Sequence, residues 1–446
     1  MPTPAFLDKL NAKASPNARL RWVCDHPFGR DRVARYELGN GLTVLLLVDR
    51  SAPVVSYATW YRVGSRHEKP GKTGLAHFFE HLMFNETEHL AAGEFDRKLE
   101  ESGAESNAAT WLDWTYYYEA LPSERVGLAI QIEADRMAHL VLRQPQIDSE
   151  REVVSNERRM RVDDDPDGTA NEMLYKLAYT KHSYHWPTIG WMEDIAAYTP
   201  ADCEAFYRAY YAPNNATVVI VGDIKPQSVL AKLQLAYGEI PPSVVPAEDI
   251  VPEPPQLEPR TLTVLKPTTN EKIFVGYMGP SLGDHDHTPL NVLAEVMSGG
   301  RASRLYTTLV TEREVASEPR CWAATFRDPG IFEITATARE GHTAREIEQL
   351  IVSEIDKLSS ELISEEELER AKARLELNQV QSLETANGKA EQIGFYETVL
   401  GDPSAAFARL DATRKVKRED IRRVARRYLV ERARNTVYLL PEVTHA

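Results

Sequence analysis

The sequence reads as a duplicated α+β protein, two similar units of about 200 residues joined by a stiff linker. Three observations predict this. Seven prolines crowd the stretch from Ile240 to Pro259, at positions 241, 242, 246, 252, 254, 255 and 259. Such a run forms neither a helix nor a central strand, so it reads as an extended connector. It divides the chain into domains at 1–239 and 261–446, with 240–260 as the linker. The two halves then repeat each other. Glu150-Arg151 is followed by Glu157, and Glu369-Arg370 by Glu376 at the same spacing. Each half also closes alike: Phe206 to Tyr211 leads to Thr217-Val218, and Val424 to Tyr428 leads to Thr436-Val437.

Taken in order, Tyr36 to Val48 holds Asn40-Gly41 between two strand-like runs, which predicts a hairpin. Val54 to Val63 is a further β-rich run. Gly74 to Phe84 is helical, because Leu75, Phe78, Phe79, Leu82 and Met83 recur at three- and four-residue spacing. Gly93 to Glu101 reads as a helix, Glu105 to Leu121 as two strands, and Arg125 to Leu142 as a long amphipathic helix. Ile147 to Val162 is a strongly charged helix. Thr199-Pro200 starts another that runs to Tyr211, followed by a strand ending at Gly222-Asp223. In the second half, strands at Thr261–Leu265 and Lys272–Tyr277 and a helix at Pro289–Met297 follow the order of the first.

Composition bounds the function. At 446 residues the chain exceeds one ordinary core, and 43% hydrophobic with 27% charged residues is globular. A net charge of −15 argues against a nucleic-acid partner. Cys24, Cys203 and Cys321 are odd in number and far apart, forming neither a disulfide framework nor a metal motif, which fits a reducing compartment. No run reaches the length of a membrane span, and Met1 to Arg21 lacks an apolar signal segment. The expectation is a cytoplasmic chain without a membrane partner, or a periplasmic one if a signal peptide has been removed.

The chemistry concentrates on His77-Phe78-Phe79-Glu80-His81. On a helix His77 and His81 stand one turn apart on one face with Glu80 beside them. Two imidazoles at that spacing suit a borderline metal such as zinc, and the adjacent carboxylate suits a general base. This is the H-x-x-E-H order of the inverzincins. Only the first half carries it, since the corresponding helix of the second half has Leu290, Leu293 and Ala294. A catalytic zinc usually takes a third protein ligand. Glu150 and Glu157, two turns apart on one face of the Ile147–Val162 helix, are both candidates, and spacing alone does not choose between them. His67, His89, His139, His182, His185, His285 and His287 read as surface or capping residues.

His77-x-x-Glu80-His81 followed by Glu157 resembles the metal site of the pitrilysin and mitochondrial-processing-peptidase family of zinc peptidases. The resemblance extends to Asn107-Ala108 before Thr115-x-Tyr117-Tyr118, to Tyr184…Gly190, and to Tyr210-Tyr211-x-Pro213-x-Asn215…Val221-Gly222-Asp223. It implies one zinc ion per chain held by His77, His81 and Glu157, Glu80 as general base, and Glu150 as a second acidic residue supporting the site. It implies the LuxS/processing-peptidase-like metallohydrolase fold, two similar domains each with an antiparallel sheet and helices on one face, closing as a clamshell around a chamber. Asn107 and Ala108 would lie on an edge strand to which a peptide substrate adds.

One departure stands out. Family peptidases carry an arginine and a tyrosine seven residues apart in the second half, after a turn matched here by Gly299-Gly300-Arg301-Ala302-Ser303-Arg304-Leu305-Tyr306. In register those positions are Val310 and Ser317. The reading that follows is a metalloendopeptidase acting on unfolded peptides as one subunit of a heterodimer, rather than a homodimer, whose homologous partner supplies the pair. Two further readings are that Arg301, Arg304 or Arg313 substitutes, or that the chain binds zinc and peptide but cleaves poorly; a competing class is a zinc- and peptide-binding non-catalytic assembly subunit. A metal-dependent hydrolase acting on something other than peptide is the remaining class.

Overall fold

A computed structural model describes residues 3–442. The first half runs through α1 (Pro4–Asn11), β1 (Leu20–Phe28), β2 (Asp31–Leu38), β3 (Thr43–Val48), β4 (Val54–Tyr61), α2 (Leu75–Leu82), α3 (Glu94–Glu101), β5 (Glu105–Thr110) and β6 (Thr115–Pro122). It continues with α4 (Val126–His139), α5 (Gln144–Arg158), α6 (Pro166–Ala178), α7 (Met192–Ala196), α8 (Pro200–Tyr210), β7 (Ala216–Gly222) and α9 (Pro226–Tyr237). The expected hairpin is β2–β3, closed by the Leu38 amide donating to the Leu42 carbonyl at 3.0 Å. Helix α8 begins as its sequence signals, with Thr199 and Asp202 forming a capping box around Pro200.

The second half runs through β8 (Arg260–Lys266), β9 (Lys272–Met278), α10 (His287–Ser298), β10 (Ala316–Ala323), β11 (Ile331–Ala338) and α11 (Ala344–Ser360). It ends with α12 (Glu365–Ser382), α13 (Ala386–Leu400), α14 (Ala405–Lys415), α15 (Arg418–Tyr428) and β12 (Arg434–Pro441). The strand orders are β1-β2-β3-β7-β4-β6-β5 and β10-β11-β9-β12-β8. Strand for strand, β8 to β12 take the places of β3 to β7. Strand β12 pairs parallel with β8 and antiparallel with β9, as β7 pairs with β3 and β4. The duplication is therefore one of topology, and β1 and β2 are an addition to the first copy.

The chain folds into two compact units that interleave in sequence. One gathers the chain up to Asn156 with Pro187–Ile250 and Ser382–Phe407. The other gathers Glu157–Trp186, Val251–Gln381 and the chain from Ala408 onward. The linear division at 240–260 is thus crossed twice more, by the segments that carry α6 and α13. Helix α6, from the first half, packs on β8, β9 and β12, whereas α13, from the second, packs on β4 and β7. Tyr175 of α6 donates to Glu333 of β11 at 2.6 Å, and Arg260 of β8 donates to the Leu177 carbonyl at 2.8 Å. Arg35 of β2 pairs with Glu397 of α13 at 2.9 Å, and Lys389 of α13 pairs with Asp49.

Two expectations change in consequence. The sheets are mixed rather than antiparallel, because β7 and β12 return after long helical excursions that permit a parallel neighbour. Helices also cover both faces of the first sheet, not one. Thr59 of β4 donates to Glu133 of α4 at 2.9 Å, and the next residue, Trp60, points to the opposite face. There α13 comes so close that a Cβ on Gly394 would lie 2.0 Å from the Trp60 Nε1. Burial on both faces explains why every residue of β7 is buried.

Residues 241–259 form neither helix nor strand. The segment is nonetheless tied down: Asn214 and Ser243 exchange two hydrogen bonds of 2.9 Å, and Glu253 accepts the amides of Thr180, Lys181 and His182 at 2.8–3.0 Å. Among the described residues, no helix is long and apolar enough to cross a membrane.

Candidate metal centre

Helix α2 is fixed at both its start and its buried face. Gly74 precedes it at φ 89°, and a side chain there would meet the Ile189 carbonyl at 2.4 Å. The buried Glu68 carboxylate accepts the amides of Gly74 and Ala76 at 2.6 and 2.7 Å, using two donors that a helix start leaves unpaired. Burial pushes the Glu68 pKa well above the ordinary carboxylate value, against the lowering effect of those two bonds. Asp194 accepts from the Thr73 amide and hydroxyl at 3.0 and 2.6 Å. Leu75, Phe78, Phe79, Leu82 and Met83 are all buried. Phe78 packs on Tyr198, Phe79 on Phe206 and Tyr211, and Tyr117 donates to the Phe79 carbonyl at 3.0 Å.

With that face committed to the core, His77, Glu80 and His81 share the remaining one. The two imidazoles lie 4.9 Å apart between ring centroids. Ligand atoms of His77, His81 and Glu157 all fall within 4.8 Å of one another. Glu157 comes from the end of α5, where the backbone loosens into a π-helical turn at Arg159–Asp163. Such widened turns recur at functional sites because they re-aim side chains. Arg161 lies 3.1 Å from the Glu157 carboxylate, and the following segment is anchored by Arg158, which pairs with Glu172 at 2.8 Å. Two imidazoles and one carboxylate are a donor set of catalytic zinc sites, with a fourth position left for water or substrate.

The structure separates the two glutamates that spacing left open. Glu150 does not join the cluster. One of its oxygens lies 3.6 Å from His81 Nδ1 and the other accepts from Asn85 at 3.2 Å. The hydrogen bond with His81 is the chief reason its pKa lies below the ordinary value. A carboxylate on Nδ1 orients the ring and leaves Nε2 for a cation. The contacts of Glu150 are thus with His81 and Asn85, outside the three-residue cluster. Glu80 stands near the hydroxyls of Tyr117 and Tyr211, whose pKa values rise through burial first and through its negative charge as a smaller contribution. Glu68 and Asn85 were missed from sequence, since neither lies within a recognisable pattern.

Asn107 and Ala108 lie on β5, the edge of the first sheet. The Asn107 side chain accepts the amide of Ala108 at 2.8 Å, so this edge donor is occupied from within. In the second unit, Val310 packs against the hydrophobic core from the π-helical turn Tyr306–Glu312. Ser317 sits on β10 where the register with β11 shifts. Neither supplies an arginine or a tyrosine. Arg304 is held by Glu367 through contacts of 2.7 and 3.3 Å. Burial raises the Glu367 pKa, but the Arg304 bond and the Ser364 amide outweigh it and bring it to about 2. Arg304 is therefore committed to a structural pair, while Arg301 and Arg313 are exposed.

Residues 43–190 match the family model described as Insulinase (Peptidase family M16), and residues 197–375 match the Peptidase M16 inactive domain. The chain is 31% identical over 411 residues to a protein of Helicobacter pylori named zinc protease PqqE, covering 91% of this chain and 92% of that one. It is 26% identical over 402 residues to the uncharacterized zinc protease YmxG of Bacillus subtilis, covering 90% and 96%. A crystal structure of a protease from Helicobacter pylori superposes with a TM-score of 0.89 at 30% identity, over 92% of this chain and all of that one. An M16-like peptidase structure from Alicyclobacillus acidocaldarius shares the fold, with a TM-score of 0.80 at 21% identity over 93% of this chain and all of that one.

Proposed function

The chain belongs to the M16 family of zinc peptidases, and from that premise we propose that it is a metalloendopeptidase subunit cutting unfolded peptides inside a closed chamber. The observation that carries this reading is the convergence of His77, His81 and Glu157 on one point with Glu80 on the same helix face. Those three residues would hold one zinc ion per chain. When bound, such an ion supplies Lewis-acid activation of water and of a peptide carbonyl. Glu80 takes the proton from the attacking water and passes it to the nitrogen of the leaving amine as the C–N bond breaks. Glu150 holds His81 in its ligating tautomer through Nδ1. The substrate adds to β5 as a further strand, displacing the Asn107 side chain from the Ala108 amide.

The missing oxyanion donors support a divided active site. With Val310 half-buried against the core, Ser317 on a strand irregularity and Arg304 paired to Glu367, this chain offers no arginine–tyrosine pair at the family's positions. A homologous partner subunit would supply it, as a heterodimer. The free thiols of Cys24, Cys203 and Cys321 fit a cytoplasmic site of action. The alternative is an assembly subunit that binds zinc and peptide without cutting. Replacing Glu80 with Gln distinguishes the two. On the proposed reading turnover of an unstructured peptide is abolished while zinc stays on His77, His81 and Glu157. Unchanged cleavage in that variant would remove Glu80 from the mechanism, and no cleavage by wild type under any pairing would favour the assembly role.

A further inference from the structure

We propose that His89, Asp135 and His139 form a second site for a divalent transition-metal ion, with zinc the best chemical match. Their ligand atoms all lie within 4.8 Å of one another, and the cluster shares no residue with His77, His81 and Glu157. Asp135 and His139 stand one turn apart on α4, so both project from one face. His89 comes from the loop after α2, and its Nδ1 lies 2.5 Å from Asp135 Oδ1. The His89 and His139 rings sit 4.7 Å apart, nearly perpendicular.

The donors are held in place before any ion arrives. Thr87 forms a β-bridge with Leu140, and the Glu88 amide donates to the His139 carbonyl at 2.9 Å. The Thr87 hydroxyl donates to Asp135 Oδ2 and accepts the His89 amide at 3.1 Å. One oxygen of Asp135 is thus oriented by Thr87 and the other is presented to His89. Leu90, buried with Phe95, Leu99 and Ile132 in a small core cluster, pins the loop to α4. Glu88 adds a carboxylate 3.6 Å from His139 Nδ1.

Tetrahedral zinc at bond lengths of about 2.1 Å needs ligand atoms roughly 3.4 Å apart, within side-chain rotation of this arrangement. The direct contact between His89 Nδ1 and Asp135 Oδ1 occupies the place a cation would take, so an ion bridging the two atoms would replace it. The side chains of His89 and His139 are 61% and 42% exposed, which leaves room for water to complete the shell. An ion here would tie the segment following α2 to the end of α4.

The site is tested by equilibrium dialysis of the full chain at saturating zinc, followed by metal analysis. Wild type should bind two ions, His89→Ala/His139→Ala one, and His77→Ala/His81→Ala one. Cobalt substituted into the His77→Ala/His81→Ala chain should give a visible absorption band that Asp135→Asn removes. Asp135→Asn, nearly isosteric, also serves if the double variant fails to fold, and it should weaken binding of the second ion at least tenfold. Absence of bound zinc from the His77→Ala/His81→Ala chain, or an undiminished complement in the variants of this cluster, overturns the proposal, whereas a wild-type chain whose single ion survives His77→Ala/His81→Ala upholds it and instead contradicts the first site. Because the two pairs of histidines are removed separately, loss of one site does not imply loss of the other.

Discussion

The carboxylate of Glu68 accepts the amide of Gly74 at 2.6 Å while its other oxygen holds the amide of Ala76. A side chain six residues upstream thereby fixes the first turn of the helix that presents His77 and His81. Glu68→Ala leaves two buried donors unpaired, and such groups cost about 1–3 kcal/mol each. The expected loss is about 3 kcal/mol in denaturant unfolding, with weaker zinc binding. Glu68→Gln, which keeps one acceptor, should lose less than half as much. Equal stability in all three proteins would show that α2 is set elsewhere.

On the proposed reading Glu150 would act on the metal through His81, whose Nδ1 lies 3.6 Å from its carboxylate. Glu150→Ala should weaken zinc affinity about 10- to 100-fold, the usual effect of removing a partner that orients a ligand. At saturating zinc the turnover number should stay within a few fold of wild type. His81→Ala, by contrast, removes a donor and should leave no functional site. A Glu150→Ala protein that binds zinc normally yet fails to turn over would instead place Glu150 in contact with substrate.

The edge of β5 can be blocked without touching the helix. Ala108→Pro removes the amide that Asn107 now occupies and that an added strand would use. Peptide binding, read as KM or by direct titration, should weaken at least tenfold while zinc content is unchanged. Normal peptide affinity in this variant would move the substrate to another surface.

Much of this was legible in the sequence, and the parts that were not share a cause. The α2 motif, the β2–β3 hairpin, the capped start of α8 and the repeat of strand order are local patterns, set by side-chain periodicity and turn chemistry. The exchange of α6 and α13 between the units is not local: each covers a sheet face formed by strands more than 80 residues away. Glu150 and Glu157 share one helix face, so only their distances to His81 and His77 assign them different places. His89 and His139 read as surface histidines because the bridge between Thr87 and Leu140 that joins them has no sequence signature. The one hint was Asp135 one turn before His139.

Glu333 makes the second unit sensitive to pH. It is buried between α6 and β11, and desolvation raises its pKa to about 7 despite bonds from Tyr175 and Asn171. A carboxyl whose folded pKa is raised contributes stability at low pH, and that contribution is lost as pH rises from about 4.5 through about 7. The loss amounts to about 3 kcal/mol at most. Glu333→Gln should flatten this part of the stability profile and be the more stable protein at pH 8. A parallel profile in the variant would mean that Glu333 ionises freely in the fold.

On the proposed reading His77, His81 and Glu157 hold the metal while the arginine–tyrosine pair comes from a partner. The most direct measurement is the rate at which the zinc-loaded chain cleaves an unstructured peptide, alone and after mixing with a homologous subunit that carries the arginine–tyrosine pair. Removing a single oxyanion donor typically costs about 100- to 1,000-fold in turnover. The mixture should therefore exceed the isolated chain by at least about 100-fold, and Glu80→Gln in this chain should abolish the gain. Full turnover from the isolated chain, unchanged by the partner, would contradict the divided site.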